Sequence, residues 1–329
     1  MLSIRPSFYD DFECIAEKCT DSCCVGWEIN IDKYTLADYE KMNTEFGEKI
    51  RKNITTDECG CAMFKLDEAE RCPFLNENNL CDIIINCGKE SICYICEEHP
   101  RFYNEFAVAT EYGMGLCCEE VCRLLIENDE QLAFIVEEDD TSVDYYANGP
   151  DEAELYKEVY ELRKEFYKIL SGVASYNEKA TEIVKLAEKY TNKKITIDSD
   201  GAMLSRYEET EPINKEWTEY FNELNENICE ILEKEKPFDE TSNGDKKYSK
   251  ILSYIIFRHL MKSIFLDTAG FGEYINFCIS SVRFIKICDI KTFLEKGELT
   301  LKDRIDNIKR WSKQIEYSED NVDILTFEN

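Results

Sequence analysis

Histidine, proline and long apolar runs are scarce in this chain. Only 2 of its 329 residues are histidine and 6 are proline. The most apolar stretches, residues 251–266 and 271–288, are interrupted by charged side chains. They fall short of the roughly 20 apolar residues that a membrane helix needs. The first residues also lack the apolar core, roughly 7 residues or more, of a secretory signal. We therefore expect no membrane helix and a cytoplasmic protein.

Basic charge is scarce as well. The chain has 69 acidic and 39 basic residues, which gives a formal net charge of -30. Such a surface repels phosphate backbones and anionic lipids, so nucleic acid is excluded as an expected ligand. Two interpretations of the acidity stay open. It serves solubility alone, or it attracts a lysine-bearing substrate.

Several enzyme signatures are absent. No G-x-G-x-x-G follows a strand pattern and no Walker loop is present, which excludes the usual dinucleotide and nucleotide fingerprints. No serine or cysteine nucleophile pairs convincingly with a histidine. His259 lies in an apolar helical run and is interpreted as a core residue.

Cysteine is abundant and unevenly placed. Of the 17 cysteines, four lie between positions 14 and 24 and ten between positions 59 and 122. Buried structural cysteines act as small apolar side chains and would scatter over all core elements. In a reducing cytoplasm, clustered thiols indicate metal binding. In an oxidising compartment, the same cysteines would instead form disulfides that stabilise the fold. The sequence therefore predicts a metal site in the N-terminal region.

The kind of metal stays open. Soft thiolates suit both a four-cysteine zinc site and a [4Fe-4S] cluster, and the scarcity of histidine favours an all-cysteine site. The CxxC formed by Cys93 and Cys96 is weak evidence alone, because thiol redox enzymes share this spacing. Zinc therefore remains an alternative to iron-sulfur.

The hydrophobic pattern predicts a mainly α fold. Residues 27–32 alternate like a short strand, and Asp32 is placed to cap an amphipathic helix over residues 33–52. We predict a cysteine-rich metal-binding region with short strands over residues 1–136. An acidic linker or loop over residues 137–150 and a C-terminal helical bundle over residues 151–329 follow it. The only strand expected in the bundle is residues 195–198.

The spaced motifs resemble the flagellin lysine N-methylase family. The resemblance covers about residues 8–125 and includes FEC at 12–14, CTDSCC at 19–24, GW at 26–27, CPFL at 72–75 and HPR at 99–101. It implies methyl transfer from S-adenosylmethionine to lysine ε-amines of flagellin, by an enzyme carrying a [4Fe-4S] cluster. The implied metal ligands are Cys14, Cys19, Cys23, Cys24, Cys72, Cys81, Cys96 and Cys117. This list exceeds the needs of one cluster, and other cysteines, Cys93 among them, look additional to the family's set.

Residues beside these motifs are candidates for donor binding and catalysis. We hypothesise that Asp32 and Arg101 hold the donor's charged groups or orient the ligands, and that Trp27 walls the pocket. His99, where the family pattern predicts a tyrosine, is also expected near the cofactor. The alternatives are a helix cap for Asp32 and core packing for Trp27. A non-catalytic zinc- or iron-chelating protein is the alternative function.

Overall fold

Helices dominate the computed structural model, which describes residues 1–57, 59–138, 145–241, 244–266 and 268–327. The expected mainly α fold, with a cysteine-rich region carrying short strands and a helical C-terminal part, is confirmed. The chain forms two compact units. The cysteine-rich unit comprises Glu13–Phe102 and Cys118–Glu120. The sheet-and-helix unit comprises Met1–Phe12, Tyr103–Cys117 and Val121–Asn329.

Six strands lie within the described residues. They are β1 (Leu2–Pro6), β2 (Ile54–Thr56), β3 (Ala62–Phe64), β4 (Arg101–Phe106), β5 (Ala109–Met114) and β6 (Phe134–Glu138). One sheet has the order β4-β5-β1-β6, with β1 parallel to β5 and antiparallel to β6. In this register Ile4 pairs with both Glu111 and Val136. Strands β2 and β3 form a separate hairpin in the cysteine-rich unit.

The first five α-helices are short. They are α1 (Lys33–Lys41), α2 (Glu45–Lys52), α3 (Asp82–Cys87), α4 (Tyr94–Glu98) and α5 (Glu119–Ile126). The predicted cap is confirmed, because the Asp32 side chain accepts hydrogen bonds from the first turn of α1. The single helix predicted over residues 33–52 is wrong. Thr44 caps a new helix by accepting a bond from the Gly47 N–H, so the chain breaks between α1 and α2.

The later helices build the larger core. They are α6 (Tyr145–Ser171), α7 (Tyr176–Thr191), α8 (Asp200–Glu209), α9 (Lys215–Glu226), α10 (Ile228–Glu233), α11 (Glu235–Thr241), α12 (Asp245–His259), α13 (Thr268–Lys296), α14 (Leu301–Glu316) and α15 (Glu319–Thr326). Helix α13 is the central one, packing against α7, α12, α14 and α15. Its middle is buried on all sides, which matches the apolar composition of residues 271–288.

Several local predictions are wrong. Residues 195–198, predicted as a strand, are irregular. The polar composition of residues 235–247 predicts a loop, but this stretch contains α11 and the start of α12. The sequence predicts two short strands at 106–109 and 112–116, separated by Thr110 and Glu111. The strands occur instead as β4 and β5, joined by a turn at Ala107 and Val108. In this turn the Ala107 N–H donates to the Glu152 carboxylate at 2.8 Å, a contact between residues 45 positions apart.

The predicted linker over residues 137–150 falls partly outside the described part of the chain. Glu137 and Glu138 close strand β6, residues 139–144 are not described, and helix α6 begins at Tyr145. The division into residues 1–136 and 151–329 stays a prediction. No helix among the described residues is long and apolar enough to cross a membrane.

Candidate metal centre

Two adjacent thiols, Cys23 and Cys24, open the candidate site. They follow a segment of short turns and precede Gly26, whose φ of +86° suits glycine. A hydrogen bond from the Cys23 thiol outweighs the opposing effect of burial and lowers the Cys24 pKa to about 7. The same bond, together with burial, raises the Cys23 pKa. Cys24 is thus the thiol readiest to ionise in this pair.

Cys72 and Cys81 are brought to Cys24 by backbone pairing. The Cys72 N–H donates to the Cys24 carbonyl at 2.8 Å, and Cys81 forms a bridge with Leu75. Burial, supported by the nearby thiols of Cys24, Cys81 and Cys93, raises the Cys72 pKa to about 12. Burial also raises the pKa of Cys81. Two distant segments therefore add sulfur to the same neighbourhood.

Helix α4 carries the third contribution. Cys93 precedes the helix and is fully buried, and Cys96 lies in its first turn. A hydrogen bond from Cys96 lowers the Cys93 pKa, with support from Tyr39, whose hydroxyl lies 3.8 Å from the Cys93 sulfur. The Tyr39 hydroxyl also bonds the Ser91 carbonyl at 2.7 Å, which fixes its position.

Five of these six thiols form what we call the thiol cluster, and Cys23 is not among them. Its members pack on one apolar core that includes Ile31, Phe64 and Phe74. They are Cys24, Cys72, Cys81, Cys93 and Cys96, while Cys87 packs on the same core with its sulfur 3.8 Å from the Met42 sulfur. In the described part of the chain, no three His, Cys, Asp or Glu side chains form a group that could hold a metal ion as they stand. The donor set suits a soft metal in kind, since it is sulfur alone, but ligation would require the thiols to turn towards a common point.

The remaining predicted ligands are placed differently. Cys14 is exposed, and the electrostatics of Cys23 include the thiols of Cys14 and Cys118. Cys19 donates to the Asp21 carbonyl at 3.2 Å and lies 3.9 Å from the Glu119 carboxylate. Cys117 is buried in the sheet-and-helix unit, where it is bonded to Tyr317. The structure thus groups four of the eight predicted ligands in the thiol cluster.

Asp32 connects two helices of the cysteine-rich unit. Its Oδ1 accepts from the N–H groups of Tyr34 at 3.1 Å and Thr35 at 3.0 Å. Its Oδ2 accepts from the Thr35 hydroxyl at 2.6 Å and from the Tyr94 N–H at 3.1 Å. Although burial opposes ionisation, these bonds lower the Asp32 pKa to about 2. One carboxylate thus joins α1 to the helix that carries Cys96, and its predicted catalytic role stays a prediction.

The predicted donor-binding residues are engaged within their own unit. The Trp27 and His99 rings are 5.4 Å apart, and the Trp27 indole N–H donates to the Cys23 carbonyl. Arg101 donates through Nη1 to the Glu97 carbonyl at 3.2 Å. Trp27 therefore fixes the backbone of the first cysteine segment, and Arg101 binds the last turn of α4.

Sequence reasoning missed two contributors to the cluster. Cys93 was set aside as additional, although its CxxC spacing with Cys96 was a signal. Tyr39 lies in the amphipathic helix predicted over residues 33–52, and no local pattern shows that its hydroxyl reaches Cys93. Both belong to the site because the core that includes Ile31 and Phe74 draws their segments together.

The chain thus combines two features. One unit is rich in cysteine and offers only thiols as donors, and the other unit is mainly helical. These features define a class of cysteine-rich proteins with a helical C-terminal part. Residues 115–326 match the family described as FliB lysine N-methylase C-terminal domain. The chain belongs to this family. The match lies mainly in the helical part, where sequence reasoning found no motif.

Three curated relatives show the same kinship at low identity. The flagellar biosynthetic protein FliU of Salmonella muenchen is 26% identical over 134 residues, which cover 39% of this chain and 79% of the relative. The lysine-N-methylases of Salmonella choleraesuis (strain SC-B67) and Salmonella typhimurium (strain LT2) are also 26% identical over 134 residues. That match spans 39% of this chain and only 33% of each lysine-N-methylase. No solved structure matches the chain.

Proposed function

We propose that this chain is a protein-lysine N-methyltransferase that transfers methyl groups from S-adenosylmethionine to lysine ε-amines of flagellin in the cytoplasm. The observation that carries the proposal is the family match over residues 115–326, the family being named for lysine N-methylase. The curated relatives named lysine-N-methylase and flagellar biosynthetic protein support the activity and the flagellar substrate.

A [4Fe-4S] cluster is the second part of the proposal, with zinc as the alternative metal. Its support is the donor set, since the thiol cluster gathers five sulfurs and no histidine. When bound, an iron-sulfur centre cross-links the protein segments that carry its thiolate ligands and can transfer single electrons. The protein's part is to hold the ligands. Asp32 and Tyr39 do this by fixing the helix and the loop on either side of Cys93.

The acidity of the chain fits a lysine-bearing partner. A net charge of -30 raises the local concentration of cationic protein surfaces and speeds their encounter. Methyl transfer then needs a neutral amine in line with the sulfonium methyl group, so positioning and exclusion of water supply most of the rate.

Anaerobic purification with metal and sulfide analysis tests the cofactor. We expect iron with acid-labile sulfide, about one cluster per chain, and broad visible absorption. Zinc without sulfide would mean that the thiols chiefly hold the fold. The non-catalytic chelating protein would then become the better description.

Incubation with flagellin and labelled S-adenosylmethionine tests the activity, with methyl-lysine measured by mass spectrometry. Arg101→Ala should abolish methylation while the visible absorption persists, because Arg101 is predicted to hold the donor's charged groups or to orient the metal ligands, and is not itself a ligand. Arg123→Ala is a matched control, since Arg123 forms a surface ion pair with Glu127 on the following turn. Full methylation by Arg101→Ala would remove this residue from the mechanism.

A further inference from the structure

A polar cavity of about 210 Å³ lies inside the sheet-and-helix unit. Its walls are the end of α7, the irregular segment 193–198, helix α8 and the start of α13. The cavity lies within residues 115–326, the part that matches the lysine N-methylase domain. We propose that this cavity binds the amino-acid end of S-adenosylmethionine, an inference that rests on the proposed function.

Charges of both signs line the cavity. Lys193 and Lys194 contribute cations, and Asp198 and Glu273 contribute carboxylates. The amino-acid end of the donor carries an ammonium and a carboxylate, so it needs partners of both signs at close range. A cavity meant for a simple anion or cation would be lined by one sign.

Hydrogen bonds and an ion pair among the lining residues fix the walls of the cavity. Asn276 is 3% exposed, and its Oδ1 accepts from the Asp198 N–H at 2.9 Å and from the Ser280 hydroxyl at 3.1 Å. Arg206 lies 3.2 Å from the Asp198 carboxylate, with the two side chains 15% and 11% exposed. With its oxygen engaged, Asn276 offers its amide nitrogen as a donor. The irregular backbone at 195–198 is thus fixed in place.

The volume of the cavity also fits the amino-acid end of the donor. Ligand pockets for drug-sized molecules usually have volumes of roughly 300–1,000 Å³, so 210 Å³ suits part of the donor and not the whole nucleoside. Gly272 leaves room at this wall, since a Cβ there would lie only 3.3 Å from the Ile195 side chain. The adenosine end would then remain nearer the opening.

This site replaces the donor contacts predicted at Trp27, His99 and Arg101. Those three side chains stack or bond within the cysteine-rich unit. The cavity lies in the sheet-and-helix unit, and its lining includes charged groups of both signs, among which Lys194 pairs with Glu188 and Asp198 with Arg206.

Calorimetric titration of the full chain compares S-adenosylmethionine with 5′-methylthioadenosine, which has the nucleoside but lacks the amino-acid end. We expect Lys193→Ala and Glu273→Gln each to weaken S-adenosylmethionine binding at least ~10-fold and to leave 5′-methylthioadenosine binding unchanged. Matched controls are Lys189→Ala and Glu182→Gln, exposed residues of α7 outside the lining, which should bind both ligands normally. Circular dichroism spectra verify that each variant is folded.

The outcomes separate the two claims. Normal S-adenosylmethionine binding by both cavity variants overturns the cavity assignment and leaves the methyltransferase proposal standing. Loss of that binding in Trp27→Ala or Arg101→Ala alone would also overturn it. Absence of binding by the wild-type chain overturns the donor itself, and the cavity assignment with it.

Discussion

Arg163 and Glu111 form a bidentate ion pair in the interior of the sheet-and-helix unit. Arg163 Nη1 lies 2.9 Å from Glu111 Oε2, and neither side chain is more than 1% exposed. The Tyr156 hydroxyl donates to the same carboxylate at 2.7 Å. Glu111 belongs to β5 and Arg163 to α6, so the pair fixes the sheet against a helix.

Arg163→Met should lower the free energy of unfolding by about 3–5 kcal/mol, because Glu111 would be left as an unpaired buried charge. The double variant Glu111→Leu/Arg163→Met should be more stable than the single one, since no buried charge remains. Urea denaturation followed by circular dichroism measures both. If the double variant were no more stable than Arg163→Met, the lost stability would come from altered packing and not from the unpaired charge of Glu111.

His259 should make stability depend on pH below neutrality. Its Nε2 lies 2.9 Å from the Glu316 carboxylate, close to Arg258 and Lys262, and burial lowers its pKa to about 4. The unfolded chain therefore binds this proton at higher pH than the folded chain. The contribution of neutral His259 to the free energy of unfolding is fully present above about pH 6.5. It falls by roughly 3 kcal/mol as the pH drops to about 4.

Urea denaturation at a series of pH values between 7 and 4.5 measures this dependence. His259→Gln should flatten the decline, because the buried imidazole beside Glu316 is removed. A decline as steep in His259→Gln as in the wild type would assign it to other groups.

Cys72→Ser and Cys93→Ser should each lose most of the bound metal, since both thiols are buried in the thiol cluster. Cys59→Ser and Cys61→Ser are the matched controls, because these thiols are exposed beyond strand β2. Iron, zinc and sulfide analysis after anaerobic purification measures the effect. Equal metal content in all four variants would exclude the thiol cluster as the binding site.

Asp32→Ala should destabilise the cysteine-rich unit by about 1–2 kcal/mol or more, because it removes the cap of α1 and the bond to α4. Asp32→Asn should recover much of this loss, since asparagine also caps helices. Thermal unfolding measures stability, and the flagellin assay measures activity. A stable but inactive Asp32→Asn variant would support the predicted catalytic role over a purely structural one.

The sequence predicts the helical class well because periodicity is local. The apolar pattern of residues 271–288 is that of a buried helix, and the Asp32 cap is readable from its position before Tyr34. Strand β1 is not predictable in this way. Leu2–Pro6 is short and contains proline, and its partners lie more than a hundred residues away.

The candidate site is also predictable only where the signal is local in the sequence. The clustering of cysteines shows that thiol chemistry is present, but not which thiols meet. Cys24 joins Cys72 through a backbone bond, and Cys93 is set by Tyr39. Such partnerships depend on tertiary packing, so the spacing of cysteines alone predicted only part of the thiol cluster.

The position of β1 has a consequence for protein synthesis. Ile4 leaves the ribosome early but pairs with Glu111 and Val136. At roughly 5–20 residues per second, the strand waits roughly 5–20 s for its first partner. Residues 13–102, nearly all of the cysteine-rich unit, emerge in that interval. That unit can begin to fold on the nascent chain while strand β1 is still unpaired.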